Sequence, residues 1–190
     1  TTNNNISFGK AITLSGDVAM SSGAGAGTMT FSDSIDATGD HGQSLTLTAG
    51  TGDINFDNAV GATTDLKDIT IVSAKNVDTD GTLAAKNFIQ NAGTGTTQFD
   101  GAVTLSEGMD YNGTNLNLNA ALNAGTNVSI TNSGTFTTNA AGAIVATGTF
   151  TQDGLGTSTL SGDITTTNNN ISFGKAITLS GDVAMSSGAG

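Results

Sequence analysis

The chain has no cysteine, no proline, no tryptophan and no arginine, and only one histidine, one tyrosine and one glutamate among 190 residues. Without cysteine there is no disulfide framework, no thiolate metal centre and no thiol nucleophile. Without arginine there is no bidentate guanidinium clamp for phosphate and no guanidinium readout of bases. The 16 acidic residues outnumber five lysines and leave a net charge of -11, a surface that repels phosphate backbones, so nucleic acid and anionic membrane are poor partners. A single histidine rules out a histidine-pair metal site and leaves His41, in Thr-Gly-Asp-His-Gly-Gln, as the one imidazole for acid–base chemistry. No apolar run approaches the roughly 18 to 20 residues of a spanning helix, so membrane insertion of this segment is not expected.

The missing prolines also say something positive. A strand flanked on both sides must give its N–H groups to a ladder, and proline cannot do so. What is present agrees with strands: 36% apolar residues, only 11% charged, and 27 glycines. Short segments alternate apolar and polar residues at period two, rich in Thr, Ile and Val, and clusters of Gly, Asn, Asp and Thr separate them. Ile6 with Phe8, Met29 with Phe31, Leu45 with Leu47 and Ile69 with Ile71 open the first four turns of a rhythm. Phe88, Met109 with Tyr111, Val128 with Ile130, and Phe150 open the next four, before Ile171 and Phe173 restart it. Many turns hold a second strand, such as Ile12 with Leu14, Ile54 with Phe56, Val103 with Leu105 or Ile144 with Val145. Glycine interrupts nearly every stretch long enough for an amphipathic helix. Two or three short strands in each turn of about 20 residues predict an all-β solenoid. Asparagines stacked at its corners are expected to bond from coil to coil.

A larger period lies over the small one. Residues 1–25 read TTNNNISFGKAITLSGDVAMSSGAG, and residues 166–190 repeat them without change, an offset of 165. Residues 1–165 therefore read as one complete tandem unit of about eight coils, and 166–190 as the start of the next identical unit. A lone coil cannot bury its apolar face, so stability must come from stacking. The partners this predicts are neighbouring identical units, in the same chain or head to tail. Coils about 4.8 Å apart make such a unit about 38 Å long.

The phrases NNISFGKAITLSGDV, TGDINFDNAV, FDGAVTL and LSGDITTTNNNISF resemble the repetitive regions of filamentous-haemagglutinin-like bacterial surface exoproteins, the large β-strand-repeat adhesins. The resemblance implies a right-handed parallel β-helix, export to the cell surface or exterior, and the role of an adhesin shaft or surface filament. It implies no catalytic residue.

Candidate sites are few. Parallel β-helices also carry polysaccharide lyases, but those pair clustered carboxylates with an arginine or lysine base, and arginine is missing. No hydrolase elbow, phosphate loop or metal-ligand histidine pair occurs, and a non-enzyme is expected. Calcium has the best-matched pattern: Asn76, Asp78, Asp80 and Gly81 reproduce the spacing of the first half of an EF-hand loop, although the twelfth position is Asn87 instead of Glu. No other cofactor is expected. Asn5, Asn112, Asn127 and Asn170 stand in N-x-S/T sequons. The alternative to a purely structural role is a binding module, whose solenoid flank holds calcium or a host or cell-surface glycan.

Overall fold

A computed structural model describes residues 3–188, and these form strands and turns with no helix. The backbone winds through nine parallel coils. The first holds β1 (Ile6–Phe8), β2 (Ile12–Leu14) and β3 (Val18–Ser21), and the second β4 (Met29–Phe31), β5 (Ile35–Ala37) and β6 (Leu45–Thr48). The third has β7 (Ile54–Phe56) and β8 (Leu66–Ser73), and the fourth β9 (Val77–Thr79) and a long β10 (Leu83–Gln90). The fifth is β11 (Thr96–Phe99), β12 (Val103–Leu105) and β13 (Met109–Gly113), and the sixth β14 (Asn115–Leu118), β15 (Leu122–Ala124) and β16 (Val128–Asn132). β17 (Thr135–Thr138), β18 (Ile144–Ala146) and β19 (Phe150–Gly154) make the seventh. The eighth carries β20 (Thr157–Leu160), β21 (Ile164–Thr166) and β22 (Ile171–Phe173), and the ninth β23 (Ile177–Leu179) and β24 (Met185–Ser186).

Each coil thus has three sides. Side one is a nine-stranded parallel sheet with one strand from every coil, β1-β4-β7-β9-β11-β14-β17-β20-β23. Sides two and three meet in β10, whose Leu83–Ala85 half pairs with β12 and whose Phe88–Gln90 half pairs with β13. On side two the third coil contributes Val60, bridged to Ile35 below and Leu83 above, and the Leu66 end of β8, in register with Ala85. The chain is a β-solenoid, as its alternation predicts.

Alternation puts every second side chain into a shared core. On side one Phe8, Phe31 and Phe56 stack with centroids 5.6 and 5.2 Å apart and rings within 6° and 13° of parallel. Val145, paired with Ile144 in the sequence reading of this strand, points out and is 44% exposed, and Ala146 takes the inward place. At the corner from side three to side one the core turns polar. Buried Gln90 accepts a hydrogen bond from Thr97 Oγ1 (2.8 Å), and Gln152 Nε2 donates to Asn132 Oδ1 (2.6 Å). Tyr111 donates its hydroxyl to the Asn115 carbonyl (2.7 Å), and burial pushes its phenol up to about 12. Glycine is required where this corner is tightest: Gly154 has φ +93°, and a Cβ there would run into the Asn132 backbone.

The corners are also stitched by Asx side chains. Corner N–H groups that lack a strand partner still need an acceptor. Asn5 Oδ1 accepts Thr28 N–H (3.0 Å), Asn115 Oδ1 accepts Thr135 N–H (2.9 Å) and Asn127 Oδ1 accepts Thr149 N–H (2.8 Å), each from one coil to the next. Asp17, Asp36 and Asp163 do the same for Ser44, Thr63 and Ala184. This use explains the abundance of asparagine, and it occupies the amide oxygens of two sequon asparagines, Asn5 and Asn127. Direct ladders form at a separate corner, where Asn119 Nδ2 donates to Asp100 Oδ1 (2.6 Å) and Asn139 Nδ2 to Asn119 Oδ1 (3.5 Å).

Following register partners upward, Ile6 leads through Met29, Ile54, Val77, Thr97, Leu116, Phe136 and Ser158 to Ile177. Eight full turns therefore carry the chain from Ile6 to Ile177. The sequence rhythm predicts that Ile171 returns to the place of Ile6, but Ile171 sits on side three, above Phe150. The count of about eight coils holds while the side does not. Ile6 and Met29 belong to side one, whereas Leu45, Ile69, Phe88, Met109, Val128 and Phe150 form one column on side three. The short interval between Met29 and Leu45 is two sides of a coil, read as a whole turn because all three sides alternate alike.

Asn127→Ala removes the acceptor for Thr149 and should cost about 1 kcal/mol of stability. Asn127→Asp keeps it, so denaturant titration should find the aspartate variant closer to the parent. The chain has one tyrosine, so the ultraviolet absorbance of its phenolate should appear near pH 12 in the folded chain and near the ordinary 10 once denatured.

Candidate functional site

Among the described residues two groups of titratable side chains converge on the outer surface, each drawing on more than one coil. The first grows from β9. A strand turns alternate residues to one side, so Asp78 faces out of side one in register with Asn55 below and Gln98 above. Extended backbone also separates residues i and i+2 by about 6.6 Å. Asn76, Asp78 and Asp80 therefore lie in line, where an EF-hand loop would curl its donors around one point. Asn76 is engaged elsewhere: its Nδ2 donates to Asp53 Oδ1 (2.8 Å) and its Oδ1 accepts Thr96 N–H (2.9 Å), so it serves as a corner stitch.

Asp78 and Asp80 instead meet Asp100 from the coil above, and one carboxylate oxygen from each lies within 4.8 Å of the others. Asp100 also accepts hydrogen bonds from Gln98 Nε2 (3.0 Å) and Asn119 Nδ2 (2.6 Å). Beside the carboxylates runs a shallow groove of about 260 Å³, floored by Asn55, Asp78 and Gln98. Partial burial raises the pKa of Asp78 above the ordinary 3.8, and the charges of Asp80, Asp100 and Asp57 push the same way against one backbone hydrogen bond. Three oxygens of like charge suit a hard cation such as calcium, and Asp78, Asp80 and Asp100 are the residues that could hold one. Asp100 was legible only through the phrase Phe-Asp-x-Ala-Val, at Phe56–Val60 and again at Phe99–Val103. The repeat marks the same corner of the third and fifth coils, and the strand register sets Asp80 of the fourth coil between them, so Asp57, Asp80 and Asp100 form a column.

The second group surrounds His41 in the long connection between β5 and β6. His41 has φ +54°, and its N–H donates to the Asp65 carbonyl (2.9 Å) in the coil above. Nδ1 lies 3.4 Å from Asp40, and Nε2 lies 3.5 Å from Asp65 and 3.3 Å from Ser106 Oγ. Serine, imidazole and carboxylate thus come together from the second, third and fifth coils. Acyl transfer also needs amide hydrogens aimed beside the nucleophile. The N–H groups of Ser106 and Glu107 are given to the Ala85 and Lys86 carbonyls of the coil below. The arrangement is built to clasp a loop: it pins the connection after β5 across the next coils. Sequence analysis finds His41 but not Asp65 or Ser106, because only stacking brings residues so distant along the chain to one corner.

Comparison with protein-family models, with curated proteins and with solved structures gives no match in any of the three.

The raised pKa of Asp78 fixes a sign. In the window upward from 3.8 the folded chain holds the proton more tightly than the unfolded chain, so this group's contribution to stability falls as pH rises through it. Asp78→Asn should raise the melting temperature at neutral pH by about 1 to 2 °C, the scale of relieving a solvent-facing like-charge contact. The gain should vanish once the solution is acidified below the ordinary carboxylate range, which a melting series across pH reads directly.

Proposed function

We propose that the chain is a stretch of a long structural fibre, an adhesin shaft or surface filament outside a bacterial cell, in which 165-residue units follow one another as one continuous solenoid. The observation that carries this reading is that the segment 1–25 recurs unchanged as 166–190, and the two copies belong to the first and the last coils of a single uninterrupted stack. An object made this way gains length by adding coils, each supplied with a ladder and a core by its neighbours. The acidic surface keeps such rods apart in solution. No residue of the fibre is assigned chemistry, because the one serine–histidine–carboxylate grouping spends its neighbouring amides on the coil ladder. The extracellular setting follows from the resemblance to filamentous-haemagglutinin-like exoproteins.

A second reading has one observation in its favour. The Asp78, Asp80 and Asp100 carboxylates could seat calcium on the flank, which would make the stretch a binding module, with glycan as a further ligand of that flank.

Electron imaging of the native full-length material with layer-line analysis separates these accounts. The fibre predicts unbranched rods with an axial spacing near 4.8 Å and a longer repeat of about 37 Å. Beads on flexible links would sink it. A melting temperature indifferent to chelator goes with the fibre alone, and a fall of several degrees on chelation goes with bound calcium.

A further inference from the structure

We infer that successive 165-residue units join one side out of phase, so that the fibre is a threefold screw of units and each side of the solenoid recurs only after three of them. The inference rests on the tandem reading above. The ground for it is that the two copies of the repeated segment are folded alike but placed differently.

Locally the copies agree except at Gly181, whose φ of +150° is not shared by its equivalent Gly16. Asn3 and Asn168, equivalent positions of the two copies, have φ +46° and +54°, and the equivalent Gly23 and Gly188 have +103° and +85°. β1 and β22 start at equivalent positions, as do β2 and β23, and Met20 within β3 matches Met185, the first residue of β24. Inward and outward residues keep their parity. Placement differs by one side throughout: β1 is on side one and β22 on side three, β2 on side two and β23 on side one, β3 on side three and β24 on side two. The chain lengths agree with the register. Eight turns run from Ile6 to Ile177, whereas the repeat runs from Ile6 to Ile171. The excess, from Ile171 to Ile177, equals the step from Ile6 to Ile12, which is one side of a coil.

The two copies also show the two halves of one junction. Leu14 is covered by the second coil and is 2% exposed, whereas its copy Leu179 is 49% exposed; Ile177 and Met185 are open as well. What covers Leu14 is Ala37 of the second coil, so the occupant that fits above Leu179 is the matching coil of a following unit. Below the junction Phe173 packs on Phe150 at 5.3 Å, and above it Phe8, the same residue in the other copy, stacks on Phe31. Joined, these make one aromatic column that passes from side three of one unit to side one of the next. Every surface group, the Asp78–Asp80–Asp100 cluster included, is then carried to each of the three sides in turn, and a partner approaching from any direction meets the same set.

Cysteine pairs in the 190-residue chain test the phase, since it has no cysteine of its own. Thr151 and Ser172 are outward register partners, on adjacent strands about 4.8 Å apart, within reach of a disulfide. Eight complete turns per unit would instead set Ser172 above Thr159. Mild oxidation should crosslink the Thr151→Cys/Ser172→Cys chain about tenfold more than the Thr159→Cys/Ser172→Cys chain, as read by mass spectrometry. The reverse ratio overturns the one-side offset and leaves the continuous fibre standing, and equal crosslinking overturns any fixed offset. If neither pair closes while each single-cysteine chain keeps its β circular dichroism, β22 does not stack on the seventh coil, and the fibre reading falls with the offset. In native rods, layer lines at about 110 Å support the screw, and a strict repeat of about 37 Å with nothing longer overturns it.

Discussion

Everything in this molecule depends on the parallel ladder between one coil and the next. A strand of three or four residues has almost no stability by itself, and most strands of the inner coils are held by the strand one turn earlier and the strand one turn later. The absence of proline, the small residues at corners and the side-chain stitches all serve that pairing. Asn127, Asn115 and Asp163 reach up because the ladder stops at a bend, and a bend full of unpaired N–H groups would undo the turn it makes.

The same constraint decides what the surface can do. Backbone N–H groups are consumed by the stack, so the amides of Ser106 and Glu107, beside His41, are given to carbonyls of the coil below. Outward side chains are laid out in columns, which brings Asp78, Asp80 and Asp100 together across a coil boundary at the cost of raising the pKa of Asp78. A β-solenoid makes sites by stacking far more readily than by looping, and the departure of Asn76 from the expected chelating set is one instance. The extended backbone of β9 leaves its oxygens in line, and Asn76 is used to fasten a corner.

Strand content was legible because period-two alternation has one physical meaning, a ribbon with one wet face and one dry face. Thr-rich strands were harder: β11, β17 and β20 bury Thr97, Thr138 and Ser158 beside Phe99, Phe136 and Leu160, and a buried hydroxyl looks like a loop residue in one dimension. The His41 clasp and Asp100 were hidden for another reason. Their partners are separated by one to three turns of variable length, so no fixed spacing announces them.

By itself the sequence determined that strands form, that corners need glycine and Asx, that a 25-residue segment recurs at an offset of 165, and that single coils cannot stand alone. Only the tertiary structure decided which of three sides each strand occupies. The reason is that all three sides share one alternation and one core, so no residue carries a label for its side. That assignment is the running sum of corner lengths, which is why the segment beginning at Thr166 folds as its copy does and still comes to rest one side away.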